Sequence, residues 1–209
     1  TATTNSQWTQ ESESVMALEA LYHPLDNILN GIPAWTLDGT KTPPKEFTED
    51  AVAATRSGTA AMLNKMIQTI VLWNPSMVWL KFRKAQFLEA CKHYWGKSPN
   101  ANESLLSTVD VLLRYLGLSD EWKMQSASTE SNPWMELSAE MTSLKKKTGV
   151  ALVAIAKVVP QQLVQWLPQL SEATQSLLSS SSNSRSIIPS NQMHLYEFLS
   201  CVATAVPDV

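Results

Sequence analysis

Pro160 divides the most apolar part of the chain into two helical segments, and this division constrains the fold more than any other sequence feature. Before it, Leu152, Ile155 and Val159 recur at helical spacing among small alanines. Because proline lacks a backbone N–H and clashes with the preceding turn, the first helix must end there. A second apolar stripe begins at Leu163. A helix, a proline turn and a second helix make up the repeating unit of an α-solenoid.

The second helix carries its apolar residues on one stripe and tolerates a further proline. Five residues at three- and four-residue steps form the stripe: Leu163, Leu167, Leu170, Thr174 and Leu177. Pro168 falls in the first turns, where a missing amide donor costs little. We expect the two helices to pack together, with Leu152, Ile155 and Leu170 buried at their seam.

Helical periodicity recurs along the chain, and no segment shows the alternation typical of a β-strand. Seven helices are predicted, at about 8–29, 48–73, 76–94, 100–116, 133 or 134–158, 162–179 and 190–205. Prolines and glycines mark the breaks between them. The sequence therefore predicts an all-α fold. We interpret it as an α-α superhelix of the HEAT or armadillo type, with about three antiparallel helix pairs and one extra helix.

The whole chain, 1–209, is predicted to be a piece of a longer HEAT-repeat solenoid. Two long loops are expected at about 31–47 and 117–133, because these stretches are polar or rich in proline. A flexible Ser-rich linker is expected at about 179–189, from its composition. The chain starts with Thr1 rather than Met, and we interpret both ends as cuts that expose faces normally covered by further repeats.

Composition and motifs predict neither an enzyme nor a metal or cofactor site. His23, His93 and His194 lie on three different predicted helices, and Cys91 is too close to His93 in sequence to share a helix face with it. Glycine-rich phosphate loops and nucleophile elbows are absent from the sequence. Cys91 and Cys201 are interpreted as buried apolar residues in a reducing compartment.

The net charge and the length of the apolar runs argue against a nonspecific nucleic-acid-binding protein and against a membrane-spanning one. A net charge of −3 does not suit nonspecific nucleic-acid binding over the whole surface. The longest nearly apolar run, 150–159, is interrupted by Lys157 and falls far short of the ~20 residues that span a bilayer. We therefore expect no membrane partner.

Two basic clusters are the candidate binding residues. They are Lys81, Arg83 and Lys84 on the third predicted helix, and Lys145, Lys146 and Lys147 on the fifth. One interpretation is a pair of solvated helix faces. The other is a basic strip on the inner surface of a superhelix, which would hold an acidic partner. Three consecutive lysines fan over about 200°, so at most two of them can face one partner.

The stretch from Lys146 to Pro160, followed by Val164-Gln-Trp-Leu-Pro168 and Leu177-Leu178, resembles the middle of an exportin of the exportin-5 group. This group includes the plant protein Hasty and its yeast relative. There too a basic pair opens a helix that ends in proline, and a turn, a proline-started helix and a helix similar to the one at Met193 follow in order. Upstream, Gln7-Trp8, Glu19-Ala-Leu and Asn74-Pro75 fall at compatible spacings.

The resemblance implies a nuclear export receptor of the importin-β (karyopherin) superfamily. Such a receptor binds RanGTP and a protein or small-RNA cargo in the nucleus, contacts nucleoporins, and shuttles between nucleus and cytoplasm. The basic pair of the family implies that Lys146 and Lys147 face the concave side, which leaves Lys145 solvated. The main Ran-binding repeats of these receptors lie near the N-terminus, so much of that surface would fall outside this piece. The alternative is a helical-repeat scaffold that mediates protein–protein interactions in a larger complex.

Overall fold

A computed structural model describes residues 31–37, 41–96, 102–118, 139–184 and 188–207. Within these ranges all regular elements are helices, as predicted. The α-helices are α1 (Ala34–Leu37), α2 (Glu49–Leu72), α3 (Val78–Ala90), α4 (Lys92–Trp95), α5 (Asn102–Gly117), α6 (Ala139–Val158), α7 (Pro160–Leu163), α8 (Leu167–Ser184) and α9 (Pro189–Ala203). A 3-10 turn, Val164–Trp166, joins α7 to α8. The predicted first helix and most of the loop at 117–133 lie outside the described residues.

Local sequence signals account for where α2 and α6 begin or end. Thr48 precedes α2, and its hydroxyl accepts a hydrogen bond from the amide of Ala51 at 3.3 Å, which satisfies one of the unpaired donors of the first turn. α6 ends at Val158, and Pro160 occupies the first position of α7. Here the chain bends by 101° between 139–158 and 160–179. The proline turn predicted at this place is confirmed.

Three boundaries differ from the prediction, each for a local reason. The loop at 31–47 contains the short helix α1, in which Thr36 donates to the carbonyl of Pro33 at 2.7 Å. The third predicted helix is divided at Cys91 into α3 and α4. α8 continues to Ser184, so the linker expected from Ser179 is wrong over 179–184. A helix can extend beyond its apolar stripe into a run of serines, because serine costs only about 0.5 kcal/mol relative to alanine in a helix.

α6 is the central helix of the described structure. It packs against α3, α5 and α9, while α5 also contacts α2 and α8, and α8 contacts α9. The helices therefore form two rows, α2–α5–α8 and α3–α6–α9. Ten residues of α6 are buried: Met141, Leu144, Lys145, Thr148, Gly149, Ala151, Leu152, Val153, Ile155 and Ala156. Two rows of packed helices are consistent with an α-helical repeat fold.

The predicted seam after α6 is buried. Leu152 and Ile155 are fully buried and Leu170 is 3% exposed, and all three belong to one hydrophobic cluster. In α2, Met62 is 48% exposed while its neighbour Leu63 is fully buried. Apolar residues occur on more than one side of α2, so its sequence does not determine which side of the helix faces the core.

Gly149 allows α6 and α9 to approach closely. A Cβ at this position would lie 2.5 Å from Nδ1 of His194 and 2.9 Å from Oδ1 of Asn191. Asn191 is fully buried and belongs to α9. Gly58 in α2 is different, since no atom of the described residues lies within 4 Å of its Cβ position.

We expect Gly149→Ala to lower the free energy of unfolding and Gly58→Ala to raise it. The first substitution overpacks the α6–α9 contact, which costs about 1–3 kcal/mol and outweighs the better helix propensity of alanine. The second adds only that propensity, a gain of about 0.5–1 kcal/mol. Denaturant unfolding of the two variants measures both changes. Equal stability of the two variants would contradict the close α6–α9 contact.

Candidate functional site

The buried side chain of Lys84, from the first basic cluster, caps the C-terminal end of helix α2. Its side chain is 1% exposed, and its Nζ donates to the carbonyls of Val71 at 2.9 Å and Trp73 at 2.6 Å. The last carbonyls of a helix have no partner within the helix and carry partial negative charge. The ammonium group of Lys84 therefore stabilises the C-terminal end of α2.

Lys145, from the second cluster, does the same for helix α5. It is fully buried, and its Nζ donates to the carbonyl of Leu116 at 2.7 Å, in the last turn of α5. The prediction that Lys145 is solvated is wrong. Position 145 shares a helix face with the buried residues Met141 and Leu152, so its stem must lie in the core while its ammonium group reaches a carbonyl.

α3 and α6 bury equivalent positions around these two lysines. Relative to Lys84 and to Lys145, the residues at positions −4, +3, +4 and +7 are buried in both cases. The pairs are Leu80 with Met141, Phe87 with Thr148, Leu88 with Gly149, and Cys91 with Leu152. α3 and α6 thus present the same buried face, and each extends a lysine to the end of the helix before it in the other row.

The four other predicted binding residues make different contacts. Lys147 pairs with Glu89 of α3, with Nζ and Oε2 2.5 Å apart. Lys81 donates to the carbonyl of Ser76 at 2.6 Å. Arg83 donates to Oε1 of Gln86 at 3.1 Å, a contact within α3. Lys146 is exposed on α6. The predicted strip from Lys81 to Lys147 is therefore interrupted, since Lys84 and Lys145 lie below the surface.

A second ion pair joins α6 to α9. Nζ of Lys157 lies 2.7 Å from Oε1 of Glu197, and this pairing raises the pKa of Lys157 and lowers that of Glu197. Together with Lys147 and Glu89, it ties α6 to both neighbours in its row. Sequence reasoning missed both pairs, because each joins residues of helices far apart in the chain.

The structure also contains a groove that the sequence did not indicate. It has a volume of about 1020 Å³ and lies between the C-terminal end of α2, the turn after it, and α5. Lys81, Lys84 and Arg114 are among its lining residues, and Leu72, 83% exposed, also lines it. The groove is hard to recognise in the sequence because its walls come from two separate stretches, 71–84 and 106–118.

Tyr115 lies in this groove with its hydroxyl buried. The residue is 5% exposed, and its hydroxyl has no hydrogen-bond partner among the described residues. Burial raises the pKa of Tyr115 to about 12. Nζ of Lys84 lies 5.9 Å from the centroid of the ring. Burial, with the nearby Arg114 charge adding to it, lowers the pKa of Lys84 to about 8.

The described residues form neither a metal cluster nor a disulfide. Within the described ranges, no cluster of three or more His, Cys, Asp or Glu residues is arranged to hold a metal ion. Cys91 is buried and Cys201 half-buried, and they form no disulfide. In the described part of the chain, no single helix has the length and apolar composition to cross a membrane, although the bent pair 139–158 and 160–179 passes that test jointly.

Comparisons with known proteins found no match. No family model matches the chain, and neither a curated protein nor a solved structure matches it significantly. Its function is therefore inferred from its own residues and from the resemblance described above.

We expect Lys145→Met to destabilise the protein and Lys146→Met to leave it unchanged. Without its ammonium group, residue 145 leaves the carbonyl of Leu116 buried and unpaired, at a cost of about 1–3 kcal/mol. Lys146→Met, at the adjacent exposed position, should change the free energy of unfolding by less than about 0.5 kcal/mol. Denaturant unfolding compares the two variants directly. Equal effects at the two positions would rule out the capping role of Lys145.

We expect the stability of the wild type to rise relative to Lys84→Met as the pH increases above 8. Below the lowered pKa of about 8, Lys84 is charged in both states, and the cost of burying the charge is fully present. As the pH rises towards 10.5, the folded state releases the proton while the unfolded state keeps it, and the cost disappears. Unfolding measured between about pH 7 and about pH 10 tests this. A stability difference that does not vary with pH would contradict it.

Proposed function

We propose that this chain is a segment of a nuclear export receptor of the exportin-5 group, which carries protein or small structured RNA cargo out of the nucleus with RanGTP. The order of elements from α6 to α9 supports this proposal. Lys145, Lys146 and Lys147 lie in the middle turns of α6, Pro160 opens α7 after a sharp bend, Pro168 lies in the first turn of α8, and α9 follows. The resemblance noted in the sequence has the same order.

The repeated lysine contact is the observation that carries the helical-repeat part of the proposal. Lys84 of α3 and Lys145 of α6 reach the ends of α2 and α5 in the same way. Equivalent contacts in successive helix pairs are expected of a solenoid, in which each repeat contacts its neighbours. A receptor built from such repeats presents one row of helices to its cargo.

Charge on the α3–α6–α9 row favours protein over RNA as the cargo of this segment. Lys84 and Lys145 are buried, and Lys147 and Lys157 are paired with carboxylates. Few cations then remain for phosphates, and exposed charges are screened over ~8 Å at physiological ionic strength. Lys146 stays a proposed cargo-contact residue, with Lys147 beside it.

A helical-repeat scaffold that carries no cargo is the second candidate. The ion pairs from α6 to α3 and α9 favour it, because they use basic side chains to hold helices together rather than to bind a partner. The scaffold would mediate protein–protein interactions in a larger complex.

A pull-down of the full-length protein with Ran distinguishes the two candidates. We expect Ran locked in the GTP state to be retained and Ran in the GDP state to be lost. A receptor should also accumulate in the nucleus when export is blocked. Equal retention of both nucleotide states, or of neither, would leave the scaffold as the function.

Cargo bound in that assay tests Lys146. Lys146→Glu should weaken the binding of acidic cargo at low salt more than at physiological salt, because attraction between exposed charges is screened. Lys146 is the better position to change, since Lys147→Glu would place a second carboxylate beside Glu89 and disturb the α3–α6 contact. Cargo affinity that is unchanged at both salt concentrations would exclude Lys146 from the cargo surface.

A further inference from the structure

We propose that the groove between α2 and α5 binds a short segment of a partner protein in which a large apolar side chain lies next to an acidic one. Lys81 and Lys84 of α3 contribute to its lining, and the proposed binding does not depend on Ran-linked transport. The proposal follows from the charge of the groove, from one unpaired buried hydroxyl and from the apolar wall.

The charge of the groove suits an acidic ligand. Lys81, Lys84 and Arg114 line it, against one lining carboxylate, Asp110. Asp110 pairs with Arg114 at 2.8 Å, but both side chains are more than 60% exposed, so the pair holds little energy and leaves Arg114 available. An ammonium group has three donors, and the known contacts of Lys81 use one. The groove therefore carries an excess of positive charge and of donors.

Tyr115 supplies a specific contact inside the groove. A buried polar group without a partner is destabilising, so an acceptor from a ligand would stabilise the Tyr115 hydroxyl. The high pKa of this residue keeps the hydroxyl protonated at neutral pH, as a donor. A carboxylate oxygen of an incoming Asp or Glu is the acceptor that both this hydroxyl and the nearby cations favour.

The rest of the wall is apolar and requires an apolar partner. Five of its residues are aliphatic: Val71, Leu72, Leu106, Val111 and Leu118. Leu72 is 83% exposed, and an exposed leucine beside a groove gains stability when a ligand covers it. The volume of about 1020 Å³ lies at the upper end of the range for small-molecule pockets, which leaves room for several peptide side chains.

A nucleic acid fits the groove less well than a peptide. Binding to single strands uses aromatic faces on which bases stack. Tyr115 is the aromatic residue of this wall, and the ammonium group of Lys84 already lies over its ring. Phosphates could reach the cations, but bases would meet aliphatic side chains.

Selection of random peptides on the chain tests the proposal and needs no identified partner. The probe is a displayed library of random short peptides, selected on the wild-type chain. We expect the enriched peptides to combine Leu, Ile, Phe or Met with a neighbouring Asp or Glu. A synthetic copy of the best peptide should lose about tenfold or more in affinity when its acidic residue becomes the neutral amide, since a charge-assisted contact contributes about 1.5–3 kcal/mol.

Variants of the groove locate the binding. Leu72→Ser changes an exposed residue and Tyr115→Phe removes only the hydroxyl, so both should fold normally. Each should weaken binding of the selected peptide by about fivefold or more, as expected for central contacts. Met193→Ser is the control, because Met193 is an exposed apolar residue of α9, 73% accessible, outside the groove.

Three results would overturn the proposal. They are failure to enrich any peptide, enrichment of peptides without acidic residues, and equal binding to the wild type and both groove variants. If the selected peptides lose affinity for the Met193→Ser variant but not for the two groove variants, the binding surface lies on α9. Since none of these results involves Ran, each leaves the export proposal to its own test.

Discussion

The described structure depends on the way buried helix ends are satisfied. The C-terminal ends of α2 and α5 lie within the packed structure, because their carbonyls contact the buried side chains of Lys84 and Lys145. Each such end leaves carbonyls without partners in its own helix. Lys84 and Lys145 supply the missing donors at the ends of α2 and α5, and their aliphatic stems fill the core on the way. Without them, both ends would retain buried, unpaired acceptors.

This arrangement changes the meaning of the two basic clusters. In sequence they look like solvated faces or a binding strip, but one lysine of each cluster, Lys84 or Lys145, is an internal structural group. Lys147 and Lys157 also act between helices, by pairing with Glu89 and Glu197. Much of the positive charge on α3 and α6 thus holds helices together, between the two rows through Lys84 and Lys145 and within one row through Lys147 and Lys157. These four lysines are therefore already engaged inside the described structure and do not form a broad basic surface.

The groove beside the end of α2 is lined by three cations and one carboxylate. The same Lys84 that ends α2 also lies over the ring of Tyr115, so one side chain supports the helix end and contributes to the groove. Because that ammonium group is held by two carbonyls, its position is set before a ligand arrives. A preorganised charge costs little to align on binding, which is why a structural lysine can also serve recognition.

Local sequence determined the helices and several of their boundaries. Pro160 required a break, Thr48 marked a helix start, and the apolar spacing of 152–170 predicted the seam, because these signals act over one or two turns. Only the tertiary structure decided that Leu63 rather than Met62 is buried, that Lys145 is internal while Lys146 is exposed, and that Tyr115 faces a groove. Adjacent residues differ in burial by the rotation of the helix, and that rotation is set by contacts between segments distant in sequence. The groove could not be predicted for the same reason, since its two walls meet only when α5 packs beside α2.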